Sequence, residues 1–194
     1  GIKNNDQIVI YDNSDVISSC RCWYNLIYFG HDPSLVHVLN GGLKKWKKEN
    51  KITDNKKVIT KTSNYSCQEK IELVKNKKQI NENIYKNEFT VVDARSRERF
   101  EGKVAEPRKG LRSGNIKNSF CLPFSELIND DHTFISKDKI FEKFKSLNFD
   151  LSKNLVFSCG SGVTASVLAL AYSLINDKYQ PCIYDGSWAE YGII

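Results

Sequence analysis

The chain contains no methionine among its 194 residues and opens on Gly1-Ile2-Lys3-Asn4-Asn5-Asp6. The missing initiator predicts that the true N-terminus lies upstream, together with any targeting signal. The opening residues also lack the apolar stretch of a secretory leader. No run approaches the roughly 18 consecutive apolar residues of a membrane-crossing helix, so no membrane partner is expected. The six cysteines and three histidines include no CxxC pair and no zinc-ligand spacing, so neither a metal nor another cofactor is expected. Zinc-finger and RNP signatures are absent as well. That matters because the formal net charge is +6. Much of the excess comes from Lys44, Lys45, Lys47, Lys48, Lys51, Lys56 and Lys57, which follow one helical stretch into a polar segment. Such a run reads as a solvated face and linker, and no nucleic-acid partner is expected.

Cys20, Cys22, Cys67, Cys121, Cys159 and Cys182 form no disulfide framework, and a chain of this length does not need one. A reduced compartment is expected, cytoplasmic or mitochondrial, with most cysteines acting as small apolar residues.

What is present is alternation. Gln7–Tyr11 reads as a strand ending in the turn Asp12-Asn13-Ser14-Asp15, followed by a helix from Val16 to Phe29 that stops at Gly30. Leu35–Leu39 reads as a second strand closed by Asn40-Gly41-Gly42, and Leu43–Glu49 as a helix. The series returns later: Leu155–Ser158 is a strand, Cys159-Gly160-Ser161-Gly162 a turn and Val163–Ile175 a helix. Cys182–Tyr184 is then a strand closed by Asp185-Gly186-Ser187 before Trp188 and Tyr191. Asp12 precedes Cys159, and Asn40 precedes Asp185, by nearly the same offset of roughly 146 residues. Strands alternating with helices imply parallel sheets flanked by helices, and the constant offset implies an internal duplication.

The second copy also has a front half. Phe89–Val92 is a strand ending at Asp93-Ala94-Arg95, followed by Phe120–Phe124 and helical patterns at Ser125–Ile128 and Ser136–Leu147. The first copy has none, and the offset puts its start roughly 80 residues before Gly1. The expected organisation is the C-terminal half of one α/β domain at residues 1–52, a linker at 53–66, and a complete domain at 67–194.

Cys159 sits where an α/β sheet places its chemistry, at the carboxyl end of a parallel strand. The glycines let successive N–H groups turn toward one centre, and the following helix adds the positive end of its dipole. Both favour a thiolate, the reactive form. An inert buried cysteine before a glycine turn is the competing reading. A cysteine phosphatase would need an arginine six positions after the nucleophile, where this chain has Ala165. A protease would need a partnering histidine, and His31, His37 and His132 read as surface or strand residues.

The loop Cys159-Gly160-Ser161-Gly162-Val163-Thr164 resembles the active loop of the 3-mercaptopyruvate sulfurtransferase branch of the two-domain rhodanese superfamily. Val91-Val92-Asp93-Ala94-Arg95, Arg99-Phe100, Glu106-Pro107-Arg108, Leu122-Pro123-Phe124 and Tyr184-Asp185-Gly186-Ser187-Trp188 match that family in order. Val9-Ile10-Tyr11-Asp12 and Leu39-Asn40-Gly41-Gly42-Leu43 resemble its non-catalytic domain, with Asp12 in the nucleophile's place. The resemblance implies tandem rhodanese-like domains, the first incomplete here, with Cys159 in the cleft between them. It makes Cys159 a nucleophile that carries sulfur as a persulfide, Ser161 a residue that hydrogen-bonds the departing group and helps move protons, and Arg99 and Arg108 the anchors of a keto-acid carboxylate and carbonyl. Gly160, Gly162, Val163 and Thr164 then complete the substrate-binding loop, while Arg95 is structural. The implied partners are a small-molecule sulfur donor and a thiol acceptor such as thioredoxin, with cyanide as a further acceptor.

Thiosulfate-using relatives carry Arg and Lys after the cysteine, where this chain has Gly160 and Ser161. Mercaptopyruvate is therefore the expected donor, with thiosulfate, or a binding module without turnover, as alternatives. The family's Gly-His-Ile-Pro-Gly stands here as Gly114-Asn115-Ile116-Lys117-Asn118, a change expected to alter loop shape rather than activity. The family's aspartate partner for the catalytic serine belongs to the half of the first domain that this sequence does not contain.

Overall fold

The computed structural model describes residues 1–150 and 152–194, and its architecture is α/β with parallel sheets flanked by helices. A two-stranded parallel sheet pairs β1 (Ile8–Ile10) with β2 (Val36–Val38); α1 (Ser19–Tyr28) connects them and α2 (Gly42–Lys48) follows. The larger sheet is built from β3 (Val74–Lys75), β4 (Phe89–Asp93), β5 (Phe120–Cys121), β6 (Asn154–Ser158) and β7 (Ile183–Tyr184). Its order is β3-β7-β6-β4-β5, and every pair is parallel. Around it lie α3 (Lys77–Lys86), α4 (Arg97–Phe100), α5 (Lys137–Lys145), α6 (Ala165–Ser173) and α7 (Ser187–Tyr191).

Side chains of the central strands alternate between two apolar clusters, as the period of two requires. Val92, Leu155 and Phe157 pack on one face with Phe144 and Leu168. Val91 and Val156 pack on the other with Ile80, Tyr184 and Trp188. The guanidinium of Arg95 lies 4.3 Å from the Trp188 ring centroid, and Arg112 lies 4.7 Å from it.

The two segments read as copies in the sequence share backbone register at that offset. Ile10 pairs with Val38 as Phe157 pairs with Ile183. Leu43 N–H donates to Asp12 O at 2.8 Å, and at the same offset Trp188 N–H donates to Cys159 O at 2.9 Å. The equivalent helices α1 and α6 pack against each other. Helix α6 is buried on nearly every side, through Val167, Leu168, Ala169 and Ala171, because it has the large sheet on one flank and α1 on the other.

Residues 51–70 carry no regular element. Their second half is nevertheless tied to the first copy: Asn4 exchanges two hydrogen bonds with Ser66, and Gln68 and Lys70 N–H donate to Phe29 O and Tyr28 O. His31 departs from the surface position expected of it. It is fully buried, with Nδ1 3.0 Å from Tyr65 Oη and Nε2 2.9 Å from Asp6 O. The lysine run is partly paired rather than wholly solvated: Lys44 bonds Asp15, and Lys45 bonds Glu49 and Asp131.

The altered Gly114–Asn118 segment keeps a defined shape. Gly114 O accepts from Arg95, Ile116 is buried, and Asn118 holds φ +64, a left-handed conformation that asparagine tolerates.

Candidate active site

Strand β6 is central in the sheet, and Cys159 follows its last residue directly. The chain then turns through Gly160–Thr164 before α6 begins at Ala165. Glycine suits position 162, which has φ +77. A Cβ there would lie 2.6 Å from Arg21 Nη1 and 2.8 Å from Asp185 Oδ1.

Cys159 is 1% exposed and contributes to the wall of a cavity of about 310 Å³. Arg99, Arg108, Gly160, Ser161, Val163 and Thr164 share that cavity, so seven of the eight residues anticipated for the site meet there. The eighth, Gly162, is turned toward Arg21 and Asp185 instead. Val16, from the first copy, closes part of the wall. Ser161 N–H donates to Cys159 Sγ at 3.4 Å. The N–H groups of Gly160, Val163 and Thr164 have no acceptor among the described residues. A turn with several free donors around one sulfur can hold an anion there.

The two arginines are placed differently. Arg99 is clamped, with Nη2 2.6 Å and Nε 3.3 Å from the Glu106 carboxylate. Glu106 has a buried side chain and also accepts from Arg95 Nη1 at 2.8 Å. Arg108 is exposed and forms no ion pair among the described residues. Arg95 is buried against both oxygens of Asp93. The Ser161 hydroxyl has no hydrogen-bond partner among the described residues.

Three contributors went unassigned in the sequence. Glu106 stands within the Glu106-Pro107-Arg108 motif, and a carboxylate between two arginines is the natural clamp for both. Arg21 reaches across from α1, with Nη1 3.3 Å from Gly162 O and 2.5 Å from Asp185 Oδ1; nothing local in the sequence marks it. Ser187 is buried beneath the loop. Its Oγ accepts from Cys159 N–H and Gly162 N–H at 3.1 Å each and donates to Tyr184 O at 2.8 Å.

The corresponding turn of the first copy is organised by Asp12. Its carboxylate accepts from Ser14 N–H at 3.0 Å and from Ser19 N–H at 2.5 Å. The remaining thiols differ in setting from Cys159. All six cysteines are free, with Cys22 and Cys67 exposed and Cys20, Cys121 and Cys182 buried. Burial pushes the Cys121 thiol up to about 12, helped by repulsion from Asp93, and the Cys182 thiol up to about 11. Cys20 is raised further by the same desolvation.

Known proteins resemble this chain in sequence and in fold. A family model described as Rhodanese-like domain matches residues 1–49 and 76–193. The chain is 37% identical over 193 residues to the 3-mercaptopyruvate sulfurtransferase of Mus musculus, covering 98% of this chain and 64% of that protein. It is 34% identical over 212 residues to the mitochondrial thiosulfate/3-mercaptopyruvate sulfurtransferase 1 of Arabidopsis thaliana, covering 98% of this chain and 55% of that one. The chain thus spans between about half and two thirds of the length of these relatives. The crystal structure of a 3-mercaptopyruvate sulfotransferase from Escherichia coli superimposes with a TM-score of 0.83 at 28% identity, over 97% of this chain and 69% of that one.

Proposed function

The chain belongs to the rhodanese-like domain family, and from that premise we propose that it transfers the sulfur of 3-mercaptopyruvate through a persulfide on Cys159. The observation that carries this reading is the convergence of Cys159, Ser161, Arg99 and Arg108 on one cavity. The arginines suit a keto-acid carboxylate, each offering a planar fork of donors.

The Cys159 thiolate attacks the thiol sulfur of the donor. A sulfur–sulfur bond forms, the donor's carbon–sulfur bond breaks, and its electron pair passes to carbon as the enolate of pyruvate. That carbon takes the proton the donor thiol gives up, with Ser161 hydrogen-bonded to the departing group. Pyruvate leaves, and Cys159 retains the persulfide among the loop N–H groups. A dithiol acceptor such as reduced thioredoxin then takes the outer sulfur as hydrogen sulfide and is itself oxidised to the disulfide. Cyanide would instead leave as thiocyanate. Thiosulfate is the second reading, favoured by the Arabidopsis relative, which is named for both donors.

In the same reading, residues 1–52 are part of a first rhodanese-like unit, 53–66 connect it to the second, and 67–194 carry the catalytic unit. The uncovered state of β1 supports this. Val9 and Tyr11 are 58% and 60% exposed, whereas their counterparts Val156 and Ser158 are each 1% exposed. The edge of β1 away from β2 has no partner among the described residues, whereas β6 pairs there with β4. A strand like β4 belongs on that edge, and a helix like α3, which packs through Ile80 against Val91 and Val156, belongs over the exposed face of Val9. Intact-mass measurement after exposure to each donor tests the function: one added sulfur that is lost on Cys159→Ser supports it, and none with either donor defeats it.

A further inference from the structure

Ser187 holds φ +49, a left-handed conformation that disfavours a residue with a Cβ and that glycine adopts freely. The equivalent residue of the first copy is a glycine, Gly42, at φ +56. Backbone shape alone would therefore favour glycine at 187 too. The hydroxyl is the difference. It is fully buried and uses its complete capacity, two accepted N–H groups and one donated O–H.

The two accepted N–H groups belong to Cys159 and Gly162, at the two ends of the sharpest part of the loop. In the first copy Asp12 organises the turn with its own carboxylate, and glycine suffices at 42. In the second copy residue 159 is cysteine, whose sulfur must stay free to react. An organising oxygen then has to come from elsewhere, and Ser187 supplies it, with Oγ 4.0 Å from Sγ. Tyr184 O, at 2.8 Å, is the nearer of its two possible acceptors and Sγ the more distant, so the hydroxyl holds the loop while lying beside the sulfur.

We infer that Ser187 is a positioning residue of the sulfur-carrying loop. It draws the N–H groups of Cys159 and Gly162 onto its hydroxyl, so that those of Gly160, Ser161, Val163 and Thr164 remain for the sulfur that Cys159 carries. This rests on the sulfurtransferase reading for its purpose, though not for its geometry.

The test is Ser187→Gly in the full protein, because glycine accepts the backbone angle and removes only the hydroxymethyl group. Single-turnover sulfur loading from mercaptopyruvate is expected to fall about a hundredfold, the scale of a displaced reacting group. KM should be little changed, since Arg99 and Arg108 are untouched. Iodoacetamide labelling of Cys159 should slow at neutral pH, with its pH profile displaced to the alkaline side. Loading within twofold of wild type, a loss confined to KM, or an unmoved labelling profile would each overturn the inference. Should Ser187→Gly melt below the assay temperature, Ser187→Ala, which removes only the oxygen, is read by the same criteria. Failure of both to fold would make Ser187 a folding residue and refute its positioning part. A wild-type protein that loads no sulfur from either donor, with labelling still slowed in the variant, would remove the sulfurtransferase reading and leave the loop inference standing.

Discussion

Arg99 overhangs Gly160 so closely that a Cβ on that glycine would lie 3.2 Å from Nη2 of the arginine. Since Glu106 holds the other side of Arg99, a side chain at 160 makes the guanidinium give by a few tenths of an ångström. Gly160→Ala should therefore lower kcat/KM for mercaptopyruvate by about a few-fold, less than the loss of a whole charge-assisted contact. The double change Gly160→Arg with Ser161→Lys should shift preference toward thiosulfate, partly through the charge it adds and partly by displacing Arg99. Steady-state kinetics with both donors check this, and an unchanged donor ratio would count against it.

Arg99→Ala and Arg108→Ala are each expected to reduce mercaptopyruvate efficiency by roughly ten- to a hundredfold while affecting thiosulfate much less. The free Arg108 should act mainly on KM. Arg99→Ala also leaves Glu106 a carboxylate short of one partner, although Arg95 still holds it. Equal losses for both donors would mark the arginines as structural.

Sulfur should load on Cys159 alone, and Cys159→Ser should abolish transfer. Replacing Cys20, Cys22, Cys67, Cys121 or Cys182 singly should leave activity within a few-fold. Cys121 and Cys182, pushed up to about 12 and about 11 by burial, should remain unlabelled by iodoacetamide at neutral pH in the folded protein. Peptide mapping after donor treatment and after alkylation reads both outcomes.

The same two thiols set an alkaline limit on stability. Their folded-state values are raised from 9.0, so the protein binds their protons more tightly than the unfolded chain does. Their contribution is therefore full below about pH 9 and is lost as pH climbs through about 11 to 12. Tyr24 and Tyr184, also raised by burial, extend the effect upward. The melting midpoint should be level from about pH 7 to about 9 and fall above that. A double Cys121→Ala, Cys182→Ala variant should fall less steeply, and an identical slope would refute the assignment.

Arg21→Ala should cost less than about 1 kcal/mol in stability, because Arg21 and Asp185 keep 27% and 50% of their side chains in solvent. Sulfur loading should nevertheless slow several-fold, since the change frees Gly162 O from its tether to α1. A denaturant melt together with a loading assay separates the two effects.

Much of this was readable in advance because it is local. Strands β1, β2, β4, β6 and β7 announce themselves as short apolar runs closed by glycine or aspartate turns. The duplication needs only a constant offset. The sequence also carried an unused signal at Asn76 and Gln79, a reciprocal capping box that starts α3, and β3 and α3 were missed for want of it. Strand β3 is two residues long, too short for a period to show. Arg21 and Ser187 were hidden for another reason. Arg21 meets partners 141 and 164 residues away, and Ser187 meets Cys159 across 28. Such contacts depend on how α1 crosses α6 and how α7 begins, neither of which is written in any local pattern. His31 was misplaced likewise, because its burial comes from Tyr65 folding back over it.

Asp12 gives the first copy a fixed negative charge at the position where the second copy holds a transient one. Under the proposed function that turn, lacking a thiol and carrying a carboxylate, would neither take up sulfur nor favour an anionic donor. The expected stoichiometry is then one sulfane sulfur on this chain, however large the donor excess, although the turn occurs twice in it.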